Sequence, residues 1–260
     1  MENILEKIYQ ERGFDFREYR ESTLTRRIGR RLRARGAETY TRYARILDKD
    51  PGEYGKLFND LTINVTSFFR DPLPFKALEE MVIPALTRRR DRNLRIWSAG
   101  CASGEEPYSI GILLMEMLRS EISSRDITIL GTDIDTQVLK RAREGVFTPK
   151  DVEGILPALL DKYFVSGNKG FNVKPALGQI VTFEKHNLVS DFPYHDLDLV
   201  VCRNVLIYFS ASLQTRVLKS FHEGLRKGGF LLLGKAEALV GETKGLFRCV
   251  DQKAKLYQKN

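Results

Sequence analysis

From Trp97 to Tyr108 the chain reads Trp-Ser-Ala-Gly-Cys-Ala-Ser-Gly-Glu-Glu-Pro-Tyr, two glycines four positions apart followed at once by two carboxylates. Without a side chain, Gly100 and Gly104 let a ligand approach bare backbone, and a helix opening near Pro107 offers unpaired N–H groups beside it. Glu105 and Glu106 would repel a phosphate there. The G-x-x-x-G spacing also differs from the G-x-G-x-x-G of a dinucleotide site. Carboxylates at such a turn suit a ligand with cationic and hydroxyl-rich parts.

S-adenosylmethionine is one such ligand, since it carries a sulfonium, an ammonium and a ribose. A second pair of acids supports this expectation. Ile127 to Leu130 is a β-branched run that ends in Gly131-Thr132-Asp133-Ile134-Asp135. An acid at the end of a second strand is where a nucleotide-type site grips ribose hydroxyls. One of Asp133 and Asp135 can be a helix cap, but capping does not need both.

A different chemistry is written between Arg17 and Arg45, where ten basic and three acidic residues give a local charge of +7 out of +8 for the chain. Leu24, Ile28 and Leu32 form one stripe of a helix. Arg26, Arg30 and Arg33 fall opposite, and Arg27, Arg31 and Arg35 flank the stripe. A solvated face normally mixes signs. Six arginines within ten positions with no interleaved acid point to recognition of carboxylates or phosphates.

Other chemistries are disfavoured. His186, His195 and His222 share no ligand spacing, so no metal site is expected, and Cys101, Cys202 and Cys249 are far apart in apolar surroundings and read as reduced thiols. At 260 residues, with 42% hydrophobic and 29% charged residues, the chain has room for one large domain and a small one. No apolar run reaches the length of a membrane span, and the start of the chain reads as an acidic amphipathic segment rather than a signal peptide. A cytoplasmic protein is expected.

These residues need elements to position them. Residues 1 to about 75 read as helical throughout, punctuated by Gly13, Gly36 and Pro51-Gly52. The segment Asn64-Val65-Thr66-Ser67-Phe68-Phe69-Arg70-Asp71-Pro72 joins this bundle to a helix from Phe75 to Leu86. Arg88 to Arg92 is a basic loop with no assigned role. Leu94 to Trp97 predicts the strand before the glycine turn, and Tyr108 to Leu118 the helix after it. Thr136 is expected to cap a helix ending at Gly145. Residues 146 to about 180 break the alternation: Asp151 to Phe164 reads as a helix containing Pro157, and 163–165, 170–173 and 180–183 read as strands of an inserted antiparallel β element. Asp198 to Cys202 is a buried strand, Ser210 starts a helix ended by Lys227-Gly228-Gly229, and Phe230 to Leu233 is the next strand. Phe247 to Val250 and Lys255 to Gln258 close the sheet as an antiparallel pair. The expected fold is α/β: a doubly wound pattern at 76–260, with an inserted β subdomain at 146–180, preceded by an all-helical domain at 1–75.

Four blocks, residues 64–70, 97–109, 132–135 and 202–209, together resemble the CheR family of chemotaxis-receptor glutamate methyltransferases. The resemblance runs through nearly the whole chain in the family's order. It implies a Rossmann-like S-adenosylmethionine-dependent methyltransferase fold at 76–260 behind the N-terminal all-helical domain, and methyl esterification of glutamates on the cytoplasmic coiled-coil region of methyl-accepting receptors. Residue by residue it implies cofactor contacts at Asn64, Thr66, Arg70, Glu106, Asp133, Asn187, Leu188, Arg203 and Asn204, with Glu105 as an alternative to Glu106, and it sets Tyr208 beside the reacting methyl. The helical domain would then recognise the receptor through Arg26, Arg27, Arg30, Arg31 and Arg33. Some members also dock a receptor pentapeptide tether on the β insertion; the short loop Gly167-Asn168-Lys169-Gly170 argues against it here.

The chemistry agrees with the absence of a His or Cys constellation. A glutamate with a pKa near 4.3 is ionised at neutral pH, so attack on a sulfonium methyl needs no general base. Alignment and exclusion of water must then supply catalysis. Arg70 either orients the substrate carboxylate or holds that of the cofactor's methionine. Two other classes remain: an RNA methyltransferase, against which stands Arg203-Asn204-Val205-Leu206 in place of an Asn-Pro-Pro-Tyr segment, and a catalytically idle receptor-binding module. Neither nucleic acid nor membrane insertion is expected.

Overall fold

The computed structural model describes residues 1–89 and 93–260. Arg90, Asp91 and Arg92, part of the basic loop, lie outside the described residues. Four helices come first: α1 (Glu2–Arg12), α2 (Glu21–Ala34), α3 (Tyr40–Lys49) and α4 (Pro51–Leu61). Their apolar stripes meet in a core of their own, with Ile8, Ile28, Tyr43 and Leu57 fully buried. The helical reading of 1–75 is too broad. Residues 13–20 and 62–71 carry no helix: Gly13 takes a left-handed cap, and Phe69 and Asp71 take positive φ.

α5 (Pro72–Ala77), a π-helical turn at Leu78–Val82 and α6 (Ile83–Thr87) form one bent helix leading to β1 (Asn93–Ala99). Next come α7 (Glu105–Leu118), β2 (Asp126–Asp133), α8 (Thr136–Glu144), β3 (Val146–Phe147), α9 (Pro157–Tyr163), β4 (Phe164–Gly167), β5 (Gly170–Val173), α10 (Pro175–Gly178) and β6 (Val181–Lys185). The chain closes with β7 (Leu197–Cys202), α11 (Ala211–Gly224), β8 (Leu225–Leu233), β9 (Phe247–Asp251) and β10 (Leu256–Lys259). The large sheet runs β6-β2-β1-β7-β8-β10-β9, parallel from β6 to β8 and antiparallel beyond. Alternation divides its side chains between two cores: Ile96, Ile129, Leu199 and Leu232 on one face, Trp97, Val200 and Leu231 on the other. Strand order reverses between β1 and β7, so a crevice opens there at the carboxyl ends of the strands.

Several expectations need correction. Asp135, not Thr136, caps α8, its carboxylate accepting from the N–H of Gln137 at 2.8 Å. Pro157 does not sit inside a helix but starts α9, where its missing N–H costs nothing. The insertion is the sheet β3-β5-β4, and Val181–Lys185 instead pairs in parallel with β2 at the edge of the large sheet. Gly228 and Gly229 lie within β8 rather than ending a helix. Among the described residues no helix is long and apolar enough to cross a membrane.

Candidate cofactor site and its rim

A cleft of about 910 Å³, open mouth included, lies at the reversal of strand order. Its walls come from five places: the linker (Asn64, Thr66, Arg70), the turn after β1 (Gly100 to Ala102, with Glu106), the end of β2 (Asp133, Ile134), the segment after β6 (His186 to Val189), and the segment after β7 (Arg203 to Val205, Tyr208). Phe14 and Tyr19 add a wall from the helical domain. Of the residues expected at the cofactor, all but Gly104 line this space.

Gly104 is a packing residue. It has φ +95°, and a Cβ there would sit 3.0 Å from both Ala142 and the Phe183 ring. Gly100, by contrast, is in the wall; with φ +77°, a Cβ would fall 2.4 Å from Cγ2 of Val205. The turn between them is held from below. Asp133 accepts from the Ala102 N–H at 3.0 Å and from the Asp135 N–H at 2.9 Å, while burial pushes its carboxyl up from the ordinary range. Asp135 caps α8 and also accepts from Nδ2 of Asn64 at 2.7 Å, tying the linker to the second strand.

The two carboxylates after the turn separate cleanly. Glu105 faces away, accepts from Oγ of Ser103 and is pushed up by burial. Glu106 lines the cleft, accepting from Oγ of Ser98 at 2.7 Å and from Arg203 at 3.2 Å. Arg203 is almost wholly buried; it also donates to Asp71 at 2.8 Å and to the carbonyl of Arg70 at 2.7 Å. It therefore straps the linker to the cleft. Asp71 is thus taken by Arg203 and not by its neighbour Arg70. The Arg70 guanidinium donates to the Val65 carbonyl at 2.7 Å, and among the described residues it has no acidic partner.

The remaining wall is held by local hydrogen bonds and ring contacts. Asn187 Oδ1 accepts from the N–H of Val189, and the N–H of Asn187 donates to Asp191, which leaves Leu188 presented to the cleft. His186 packs edge-on against Trp97 at 5.2 Å, and burial lowers its pKa, so it is a neutral wall. Tyr208 stands at the rim. Burial raises its pKa most, while Arg27, Arg70 and Arg26 lie close enough to pull it back down. The phenol stays protonated at neutral pH.

The arginine helix is less free than its sequence implies. Arg31 donates to the fully buried Glu53 at 2.6 and 2.9 Å, and Glu53 also accepts from the Tyr43 hydroxyl. Arg35 reaches Asp50 and Glu53, and Arg30 pairs with Asp60. The interleaved acids come from α4 and its cap. Arg31 is thus a support of the bundle rather than a partner-facing group, whereas Arg26 and Arg33 are exposed and Arg27 is half-buried, its charge acting on Tyr208.

Sequence reasoning passed over Glu237, Ser98, Phe14 and Tyr19. Phe14 and Tyr19 line the cleft, while Ser98 holds Glu106 and Glu237 holds the backbone at Asn204 to Leu206; these contacts exist only in the folded topology.

The residues present fit S-adenosylmethionine. Asn204 Oδ1 is buried in the wall without a hydrogen-bond partner, and an acceptor so placed costs free energy until a donor arrives. The bare Gly100 backbone, the Glu106 carboxylate and the apolar Ile134 and Leu188 complete a mixed polar and apolar wall suited to a nucleoside joined to an amino acid.

Comparison with known proteins agrees. Residues 1–62 match the CheR methyltransferase all-alpha domain, and residues 64–256 match the CheR methyltransferase SAM binding domain. The chain is 37% identical over 258 residues to chemotaxis protein methyltransferase 2 of Pseudomonas aeruginosa, covering 96% of this chain and 90% of that one. It is 34% identical over 228 residues to a chemotaxis protein methyltransferase of Listeria monocytogenes, covering 88% and 86%. An uncharacterized 104.1 kDa protein of Rhodobacter capsulatus is 36% identical over 228 residues, which is 87% of this chain but 24% of that protein. With both of its parts matched, this chain belongs to the CheR methyltransferase family and carries that family's S-adenosylmethionine-binding domain.

Proposed function

We propose that the protein transfers the methyl group of S-adenosylmethionine to glutamate side-chain carboxylates on the cytoplasmic coiled-coil region of methyl-accepting chemotaxis receptors. The observation that carries this reading is the charge at the rim: Arg70 and Tyr208 line one cleft, the positive charges of Arg27 and Arg26 also act on the Tyr208 phenol, and none of the three arginines forms an ion pair among the described residues. A cationic rim around a neutral phenol suits an incoming carboxylate.

When bound, S-adenosylmethionine supplies an electrophilic methyl on a sulfonium. Asn64, Thr66, Glu106, Asp133, Asn187, Leu188, Arg203 and Asn204 would hold it, with the Gly100 backbone, and Asp133 would take the ribose hydroxyls. Arg70 orients the substrate carboxylate, because the Val65 carbonyl that holds it is neutral and leaves its charge available. Tyr208, kept protonated by burial, would border the methyl and can donate a hydrogen bond without giving up its proton. No group has to take a proton from an ionised carboxylate. Catalysis then rests on alignment in the cleft lined from Phe14 to Phe209.

Transfer of radiolabel from methyl-labelled cofactor to receptor cytoplasmic fragments, compared with total RNA, tests this. Label on the fragments supports it. Label on RNA contradicts it, and label on neither returns the chain to a binding module.

A further inference from the structure

We propose that Glu237 is a positioning residue for the cofactor: its carboxylate sets the backbone at Asn204 to Leu206 so that the Asn204 carboxamide faces the cleft. The inference rests on the reading that the cleft holds S-adenosylmethionine. Glu237 lies beyond the end of β8 and is buried, 4% exposed. Its Oε1 accepts from the N–H groups of Val205 at 2.9 Å and Leu206 at 2.8 Å; its Oε2 accepts from those of Asn204 at 3.1 Å and Gly234 at 2.6 Å. Three successive backbone N–H groups thus converge on one carboxylate, the arrangement that makes an anion nest. Here the anion is the protein's own side chain.

Two features mark the arrangement. Asn204 has φ +62°, a left-handed conformation that asparagine adopts more readily than most residues with a side chain. Gly234 is needed for space: a Cβ there would lie 2.6 Å from Glu237 Oε2 and 2.9 Å from the Asn204 nitrogen. What this secures is an unusual acceptor. Asn204 lines the cleft and its Oδ1 is buried with no partner among the described residues, so the segment that Glu237 holds carries an acceptor left for a ligand donor. The same segment fixes Val205 against Gly100 and leads directly into the turn Leu206–Tyr208.

The test is a double-mutant cycle on S-adenosylhomocysteine affinity, measured by calorimetry on the full chain with Glu237→Gln, Asn204→Ala and both. Glutamine has the same shape, but its amide nitrogen is a donor facing donors. Glu237→Gln is expected to weaken binding about tenfold. In the Asn204→Ala background it should cost less than about twofold, because the two act as one unit. A merely structural carboxylate would lower the melting temperature in both backgrounds without that non-additivity. Folded Glu237→Gln that binds within about twofold of wild type, losses that multiply in the double variant, or an Asn204→Ala variant of unchanged affinity would each overturn the inference while methyl transfer by the wild type stands. Failure of the wild type to bind S-adenosylhomocysteine would overturn the cofactor site itself, and this inference with it. Should Glu237→Gln not fold, Glu237→Asp keeps the buried charge and carries the same cycle. Its shorter reach should also weaken binding in the Asn204 background alone, and wild-type affinity in that variant would overturn the inference.

Discussion

The backbone N–H of Arg20 donates to the carbonyl of Tyr208 at 2.8 Å, so the residue that starts the arginine helix holds the residue at the rim of the cleft. The contact is part of a short antiparallel bridge between Tyr19 and Phe209. Ser210 donates to the Glu18 carbonyl at 2.9 Å, Nε of Arg20 reaches the Phe209 carbonyl at 3.1 Å, and the Tyr19 and Phe209 rings meet edge-on at 5.0 Å. The helical domain and the segment after β7 are thereby set in one register.

Arg20→Pro removes both of the Arg20 donors while keeping the backbone, since Arg20 already has a φ of −60° and Tyr19 is already extended. Two hydrogen bonds at about 0.5–1.5 kcal/mol each predict a loss in kcat on the order of tenfold, with S-adenosylhomocysteine affinity within about twofold of wild type. Unchanged turnover would show that Tyr208 does not depend on this tie.

Asp133→Ala should weaken S-adenosylmethionine and S-adenosylhomocysteine by roughly tenfold or more, the size of one charge-assisted hydrogen bond at about 1.5–3 kcal/mol. Because Asp133 also receives the Ala102 and Asp135 N–H groups, the melting temperature should fall as well. Calorimetric titration with wild-type affinity would remove Asp133 from the site.

The arginines of α2 should divide into two kinds. Arg26→Glu, at an exposed position beside Tyr208, should raise the receptor KM and flatten its salt dependence with little change in stability. Arg31→Ala leaves the buried Glu53 with only Tyr43 and Arg35 and should cost about 1.5–3 kcal/mol in unfolding free energy. If Arg26→Glu methylates receptor normally at every salt concentration, the exposed face is only solvated.

How far the sequence could foretell these roles depended on the range of the contacts. Glycine turn, β-branched strands and apolar stripes act through neighbours in the chain, so the central strands and the cleft at Gly100, Asp133 and Asn204 were legible. Arg31 was misread because its partner Glu53 lies on another helix, and a helical wheel shows only one. Val181–Lys185 was misplaced because a short apolar run does not say which sheet receives it. Glu237 carried no signal, since its four N–H partners come together only when β7 and β8 lie side by side.

At saturating substrates the rate should be flat from about pH 6 to 8.5, because the substrate carboxylate is already ionised and no group must accept a proton. The titratable groups at the cleft agree with this. Burial holds the Tyr208 phenol above its ordinary value and therefore neutral, and it holds His186 below its ordinary value, so that its protonation moves to the acid side. A steep limb centred near pH 7 in the profile of kcat would mean that a protein base takes part.

The most direct test of carboxylate methylation is the fate of the product in alkali. Receptor cytoplasmic fragments are incubated with the protein and methyl-labelled S-adenosylmethionine, separated, and treated with base. A methyl ester releases its label as volatile methanol, and replacing the modified glutamates by alanine abolishes the incorporation. Label that stays on the protein through alkali, as an N-methyl group would, contradicts the account.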